Sequence, residues 1–106
     1  MYYHIEDNML FVHAGYNVYT GVQKSCKHDL VWDRTIIKKA QTQKLLKYKK
    51  VFIGHTTTQI YGMDEPIKYN NLWMVDCGAG WSGKLCIMDI DTEEHWLSKR
   101  QTPALD

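Results

Sequence analysis

The chain has 106 residues, of which 44% are hydrophobic, and its net charge is +1. This length fits one small domain, and the apolar content excludes an intrinsically disordered chain. No apolar run approaches the roughly 20 residues that span a bilayer, and the N-terminus lacks the pattern of a signal peptide, so we expect a cytoplasmic protein with no membrane partner. The three cysteines show no CxxC spacing, which argues against a disulfide framework or a structural zinc site.

Positive charge is concentrated between Lys24 and Lys50. This stretch holds nine Lys or Arg and two Asp, a local charge of +7. Such a patch can attract anions, including nucleic acids. However, aromatic residues for base stacking are nearly absent from it, and cations at the end of a helix also complement the helix dipole. We therefore favour a solvated helix face and expect no nucleic-acid partner.

The first half of the chain predicts a strand, a helix and a strand. YYHIEDNMLFVHAG is typical of two short strands on either side of the turn formers Asp7 and Asn8. From about Ser25, a possible N-cap, apolar residues recur at roughly helical spacing: Leu30, Ile36, Ile37, Ala40 and Leu45. VFIGH, residues 51–55, then predicts a buried strand.

The second half of the chain predicts a loop over 56–70 and then antiparallel strands. NLWMVDC, a glycine-rich turn GAGWSG, KLCIMDI, a turn at Asp91 and Thr92, and a strand around EHWLS indicate a meander. The order of elements predicts a single domain over 1–106. We expect it to be of α/β (α+β) class, with a mixed sheet built from a strand–helix–strand unit and the meander.

Two histidines follow apolar strands in matching contexts, LFVHAG at 10–15 and VFIGHTTT at 51–58. If these strands are parallel and joined by the helix, His13 and His55 leave them at the same carboxyl edge, where open α/β sheets bind ligands. An imidazole on a rigid strand end suits a metal ligand or a general acid or base. Each histidine is also compatible with a simple hydrogen-bonding role. A metal site would need further ligands, often carboxylates.

Arg34 and Asp76 are further candidates. Arg34, in LVWDR, can hold a phosphate in a bidentate fork, or it can form a surface ion pair with Asp29 or Asp33. Asp76, in VDCGAG, can orient a histidine from behind or cap a turn.

These motifs together resemble a known family. FVHAG, LVWDR, VFIGHTTT and VDCGAGWSGKLCIMDID, in this order over roughly residues 10–98, resemble the C-terminal half of the calcineurin-like metallophosphoesterases. The match is to the bacterial and phage serine/threonine phosphoprotein phosphatases, a branch that also includes symmetrical dinucleoside tetraphosphatases. The resemblance implies a fold like the C-terminal half of that family's αββα sandwich.

The resemblance also implies a chemistry and a set of site residues. The family hydrolyses phosphate monoesters with a two-metal centre that polarises the phosphate and activates a bridging water. The resemblance assigns His13 and His55 as ligands of one divalent ion and Arg34 as the phosphate clamp. Asp76 is assigned to the surroundings of the site. Manganese is the expected ion, with iron or zinc as alternatives. The implied substrate is a phosphoprotein or a small phosphomonoester or nucleotide.

The chain departs from the family in one respect. Members carry GDxHG, GDxxDRG and GNHE on the N-terminal side, and this sequence contains neither a GD nor a GN dipeptide. We therefore expect the 106 residues to be the C-terminal portion of a phosphoesterase, inactive alone, that associates with itself or with the missing N-terminal half. The alternatives are a non-catalytic anion-binding or interaction module and a fragment of a dinucleoside polyphosphate hydrolase.

Overall fold

A five-stranded mixed sheet is the central element of the computed structural model, which describes residues 3–32, 34–54, 56–63, 65–78 and 83–99. Its strands are β1 (Tyr3–Glu6), β2 (Met9–Val12), β3 (Lys50–Ile53), β4 (Ile67–Tyr69) and β5 (Leu72–Met74). Their spatial order is β1-β2-β3-β5-β4, with β2, β3 and β5 parallel and the two edge strands antiparallel. Strands β6 (Cys86–Met88) and β7 (His95–Leu97) form a separate antiparallel pair.

The helical region contains two short helices in place of the one predicted from Ser25. These are α1 (Lys27–Val31) and α2 (Thr35–Thr42), and 3₁₀ turns occur at Val22–Lys24 and Thr58–Tyr61. The predicted N-cap was wrong: Cys26 caps α1, while the Ser25 hydroxyl accepts a bond of 2.8 Å from the Asn17 N–H. No helix in the described ranges is long and apolar enough to cross a membrane.

Two hairpins close the edges of the main sheet. Asp7 and Asn8 turn β1 into β2 with φ angles of 50° and 61°, the left-handed conformation that tight hairpins need, so this predicted turn is confirmed. The second hairpin, β4 to β5, turns at Asn70, with a φ of 54°. Its first strand lies inside the range 56–70, which was wrongly predicted to be loop throughout.

One face of the sheet and helix α2 enclose the hydrophobic core. Alternate residues of the three parallel strands point into it, and every one is at most 7% exposed: Leu10, Val12, Val51, Ile53, Leu72 and Met74. From α2 come Ile36, Ile37 and Ala40. The predicted α/β class, with a mixed sheet built on a strand–helix–strand unit, is therefore confirmed.

The strands predicted to form one antiparallel meander are divided between two sheets. Strand β5 lies beside β3 and is parallel to it, and β6 pairs with β7. Glu93, in the turn between β6 and β7, joins the two sheets: it accepts a hydrogen bond of 2.7 Å from Trp73 Nε1 and one of 3.0 Å from Lys68 Nζ. The Trp73 bond and then the lysine charges hold the pKa of Glu93 below its usual value.

Candidate functional site

The carboxyl ends of the parallel strands meet at one edge of the sheet. Val12 of β2 lies opposite Ile53 of β3, so the residues that follow these strands, His13 and Gly54, are neighbours. The Gly54 N–H donates a hydrogen bond of 3.0 Å to the His13 carbonyl. The two strands are parallel and end at the same edge, so the condition under which the sequence analysis placed the two histidines at one edge is met.

An open pocket of about 420 Å³ lies at this edge. His13, Gly54 and Val75 contribute the ends of β2, β3 and β5, and the side chain of His13 is exposed. The rings of Phe11 and Phe52, which also line the pocket, stack at 5.1 Å and 9°. The pocket therefore combines one titratable imidazole with an apolar wall, a mixture typical of small ligand sites.

Gly54 keeps space open beside His13. A Cβ atom built at this position would meet the His13 carbonyl at 3.8 Å, which is an ordinary contact distance. The space beside Gly54 is therefore wide enough for a methyl group.

His55 lies outside the described residues, so its imidazole is not placed relative to His13. Its predecessor Gly54 is held against His13, as described above. Within the described ranges, no three His, Cys, Asp or Glu side chains come together in a group that could hold a metal ion. His13 is thus the metal-ligand candidate whose position is known.

Asp76 caps the turn after β5. Its carboxylate accepts a hydrogen bond of 3.0 Å from the Gly78 N–H, and its carbonyl accepts one of 2.8 Å from the Thr58 N–H. These bonds correspond to the turn-capping alternative from the sequence. They also connect the end of β5 to the segment that follows His55 in the chain.

Arg34 is exposed at the start of α2 and is not among the described residues that line the His13 pocket. No ion pair between Arg34 and Asp29 forms among the described residues, and the Asp29 carboxylate accepts a bond of 3.3 Å from the Cys26 N–H. Asp33, the other predicted partner, lies outside the described residues. Arg34 therefore does not line the pocket beside His13.

Two features of this region escaped the sequence analysis. The Phe11–Phe52 stack lines the pocket, and Thr58, which was read as part of a loop, is fully buried and donates a bond of 3.1 Å to the Met63 carbonyl. A signal for the stack exists, because each phenylalanine stands two residues before His13 or Gly54 on strands predicted to pair.

Comparison with known proteins adds no relative: no family model matches the sequence, and no curated protein matches it at a significant level.

Proposed function

We propose that this chain is the C-terminal portion of a metal-dependent phosphoesterase of the serine/threonine protein phosphatase type. The single observation that supports this best is the hydrogen bond between His13 and Gly54 at the aligned ends of two parallel strands. It agrees with the resemblance of VHAG and GHT, in which each strand delivers a histidine to one metal ion. The proposal places the protein in the cytoplasm, in agreement with its three free cysteines.

The residues present fit part of a metal site. His13 is exposed beside an open pocket, and an imidazole nitrogen is a good ligand for manganese, iron or zinc. His13 and His55 would hold one ion, and the remaining ligands would come from a segment that carries GDxHG, GDxxDRG and GNHE. When bound, the divalent ions would polarise a phosphate and lower the pKa of a water molecule. The Phe11–Phe52 stack would exclude water from one side of the pocket.

The substrate in this proposal is a phosphoprotein or a small phosphomonoester, including a nucleotide. Arg34 would clamp the phosphate oxygens with its guanidinium fork. Because Arg34 is exposed and lies at the start of a helix, this role requires the complete protein to bring it to the substrate. A dinucleoside polyphosphate is the alternative substrate for the same chemistry.

We expect manganese to bind at the His13 edge. In an amide NMR spectrum, paramagnetic Mn²⁺ should broaden the signals of residues 12–14 and 53–55 before those of other residues. The variant His13→Ala should lose this pattern, and His55→Ala should weaken it. His28→Ala is the matched control, because it removes an exposed imidazole from α1. Broadening that is spread evenly over the chain, or that survives His13→Ala, would contradict the assignment.

Phosphatase activity gives a second test of the same proposal. The chain alone should not hydrolyse p-nitrophenyl phosphate above a blank with Mn²⁺, whereas adding an N-terminal segment with the missing motifs should give manganese-dependent turnover. Turnover by the chain alone that disappears in His13→Ala would show that the account of missing ligands is wrong.

A lysine-lined pocket favours the second candidate, a non-catalytic anion-binding module. This pocket, of about 360 Å³, is lined by four lysines, Lys44, Lys49, Lys50 and Lys68, and also by Glu93. Glu93 pairs with Lys68 at 3.0 Å and with Lys50 at 3.6 Å, so Lys44 and Lys49 are the cations that would attract an anion there. Phosphate binding that survives a chelator, persists in His13→Ala and falls in Lys49→Gln would favour this module over the phosphoesterase.

The proposal also includes association, with a second copy or with the missing half. On the β6–β7 pair, Leu85, Ile87 and Trp96 are 49%, 62% and 57% exposed, and Ile87 lies directly opposite Trp96. Apolar surface of this kind favours contact with another chain.

We therefore expect sedimentation at micromolar concentration to show a dimer or larger species, and Ile87→Lys to shift it toward monomer. The matched control is Leu46→Lys, which alters an isolated side chain that is 90% exposed. A well-folded monomer of the unaltered chain would contradict association with itself.

A further inference from the structure

Two neighbouring pockets on the surface of the molecule share a lysine. The first, of about 160 Å³, has Tyr19, Lys39 and Lys44 in its lining, and the second is the lysine-lined pocket described above. Because Lys44 lines both, the two pockets form one continuous surface that extends from Tyr19 to Lys49. We call the four side chains Tyr19, Lys39, Lys44 and Lys49 the basic surface.

The basic surface carries positive charge that no carboxylate balances locally. Within the described part of the chain, its three lysines form no ion pair. Glu93 is the one carboxylate among the residues that line the two pockets, and it is already paired with Lys50 at 3.6 Å and with Lys68 at 3.0 Å. Three cations in succession attract a ligand that repeats its negative charge, since each cation can then meet an anionic group.

An exposed aromatic ring lies at one end of the basic surface. Tyr19 is 78% exposed, and the Lys39 amino group donates a hydrogen bond of 2.7 Å to its hydroxyl while lying 4.3 Å from the ring centroid. The amino group covers one face of the ring, and the high exposure leaves the other face open to a flat partner. The sequence analysis found almost no aromatic residues for stacking between Lys24 and Lys50. The fold supplies one from outside that stretch.

The turn that carries Tyr19 is held in place by Asn17. The Asn17 Oδ1 accepts bonds of 2.9 Å from the Tyr19 N–H and 3.3 Å from the Thr20 N–H. The Asn17 carbonyl accepts a further bond of 2.9 Å from the Gly21 N–H. These bonds fix the backbone on both sides of the ring, so a ligand that stacks on Tyr19 does not have to order the turn first.

We propose that the basic surface binds single-stranded nucleic acid, with a base stacked on Tyr19 and the backbone phosphates along the three lysines. Single strands fit better than duplexes, because only an unstacked base can lie on an aromatic ring. Lysines contact phosphates as point charges and read no sequence, so we expect little preference among bases. The proposal departs from the expectation of no nucleic-acid partner, which depended on the absence of such a ring. It is independent of the phosphoesterase, since it needs neither a metal ion nor His13.

Fluorescence anisotropy with a labelled oligothymidylate of about 12 nucleotides tests the proposal. The unaltered chain should bind it in the presence of EDTA. The logarithm of the association constant should fall against the logarithm of the salt concentration with a slope of about −2, the value for three phosphate contacts on a single strand. Lys39→Gln, Lys44→Gln and Lys49→Gln should each make the slope shallower by about 0.7. Lys38→Gln is the matched control, because Lys38 is exposed on α2 and lines neither pocket.

Variants of Tyr19 separate stacking from charge. Tyr19→Ala should weaken binding about tenfold and leave the salt slope unchanged, whereas Tyr19→Phe, which keeps the ring, should bind within about twofold of the unaltered chain. The altered side chains are not part of the core, so the variants should fold, and circular dichroism checks this. An oligouridylate of the same length compares RNA with DNA. Binding of either oligomer supports the proposal, and the tighter of the two identifies the preferred sugar.

Four results would overturn the proposal. The first is an absence of binding to either oligomer at about 50 mM salt, where electrostatic binding is strong. The second is polyglutamate that binds as tightly as the oligothymidylate, because the surface would then attract any polyanion. The third is Tyr19→Ala without effect on affinity, and the fourth is Lys38→Gln that changes the salt slope as much as Lys44→Gln does.

Discussion

Replacing Asn71 with aspartate should lower the free energy of unfolding by about 3 kcal/mol, the largest effect we expect from a single polar substitution. The Asn71 side chain is buried and satisfies three backbone groups. Its Oδ1 accepts a bond of 2.8 Å from the Leu45 N–H, and its Nδ2 donates bonds of 2.8 and 2.9 Å to the carbonyls of Leu45 and Tyr48. A carboxylate has no proton to donate, so it would face two carbonyl oxygens in a buried position.

Urea unfolding followed by tryptophan fluorescence measures this loss. Gln41→Glu is the matched control, because it makes the same chemical change on the exposed surface of α2 and should alter stability by less than about 0.5 kcal/mol. Asn71→Ala should also destabilise the fold, by leaving the three backbone groups without partners. If Asn71→Asp unfolds at the same urea concentration as Gln41→Glu, these hydrogen bonds do not hold the segment between α2 and β3.

Replacing Gly83 with alanine should destabilise the fold by about 2 kcal/mol through a steric clash with the backbone. A Cβ atom at Gly83 would overlap the Cys77 carbonyl oxygen and would lie 2.7 Å from Gly78 Cα. Neither atom can rotate away, since both belong to the main chain. The bridge between Gly78 and Lys84 would have to open to admit the methyl group.

Gly54→Ala provides the comparison for Gly83→Ala. Here the nearest atom to the new Cβ is the His13 carbonyl oxygen, at 3.8 Å, and we expect a change in stability of less than about 0.5 kcal/mol. Thermal unfolding by circular dichroism compares the two variants under the same conditions. Equal melting temperatures for Gly83→Ala and the unaltered chain would mean that the turn can relax around a side chain at this position.

Local signals in the sequence predicted the elements that depend on local chemistry. Asp7 and Asn8 favour the left-handed turn that they adopt, so the first hairpin could be recognised without any knowledge of its neighbours. The parallel pairing of β2 and β3 was predictable as well, because a strand, a helix and a second strand pack into one sheet only through a crossover. His13 was placed correctly at the strand end for this reason.

Elements that depend on distant contacts could not be predicted. Leu45 is buried, as its place in the apolar pattern suggested, but it lies beyond α2 and is held by Asn71. The sequence analysis therefore took a residue that is buried by a loop contact as part of the helix. Ser25 has the residue type of an N-cap, yet its hydroxyl binds Asn17.

The parallel pairing that builds the His13 edge also sets the order in which the chain can fold. The hairpin of β1 and β2 joins residues that are close in sequence, whereas Met9 of β2 pairs with Lys50 of β3 only after the intervening chain has crossed the sheet. Closing such a long loop costs entropy before any contact repays it, so nonlocal parallel pairs form late. The hairpin can therefore assemble as the chain emerges from the ribosome, but the pocket beside His13 exists only after β3 has been synthesised and docked.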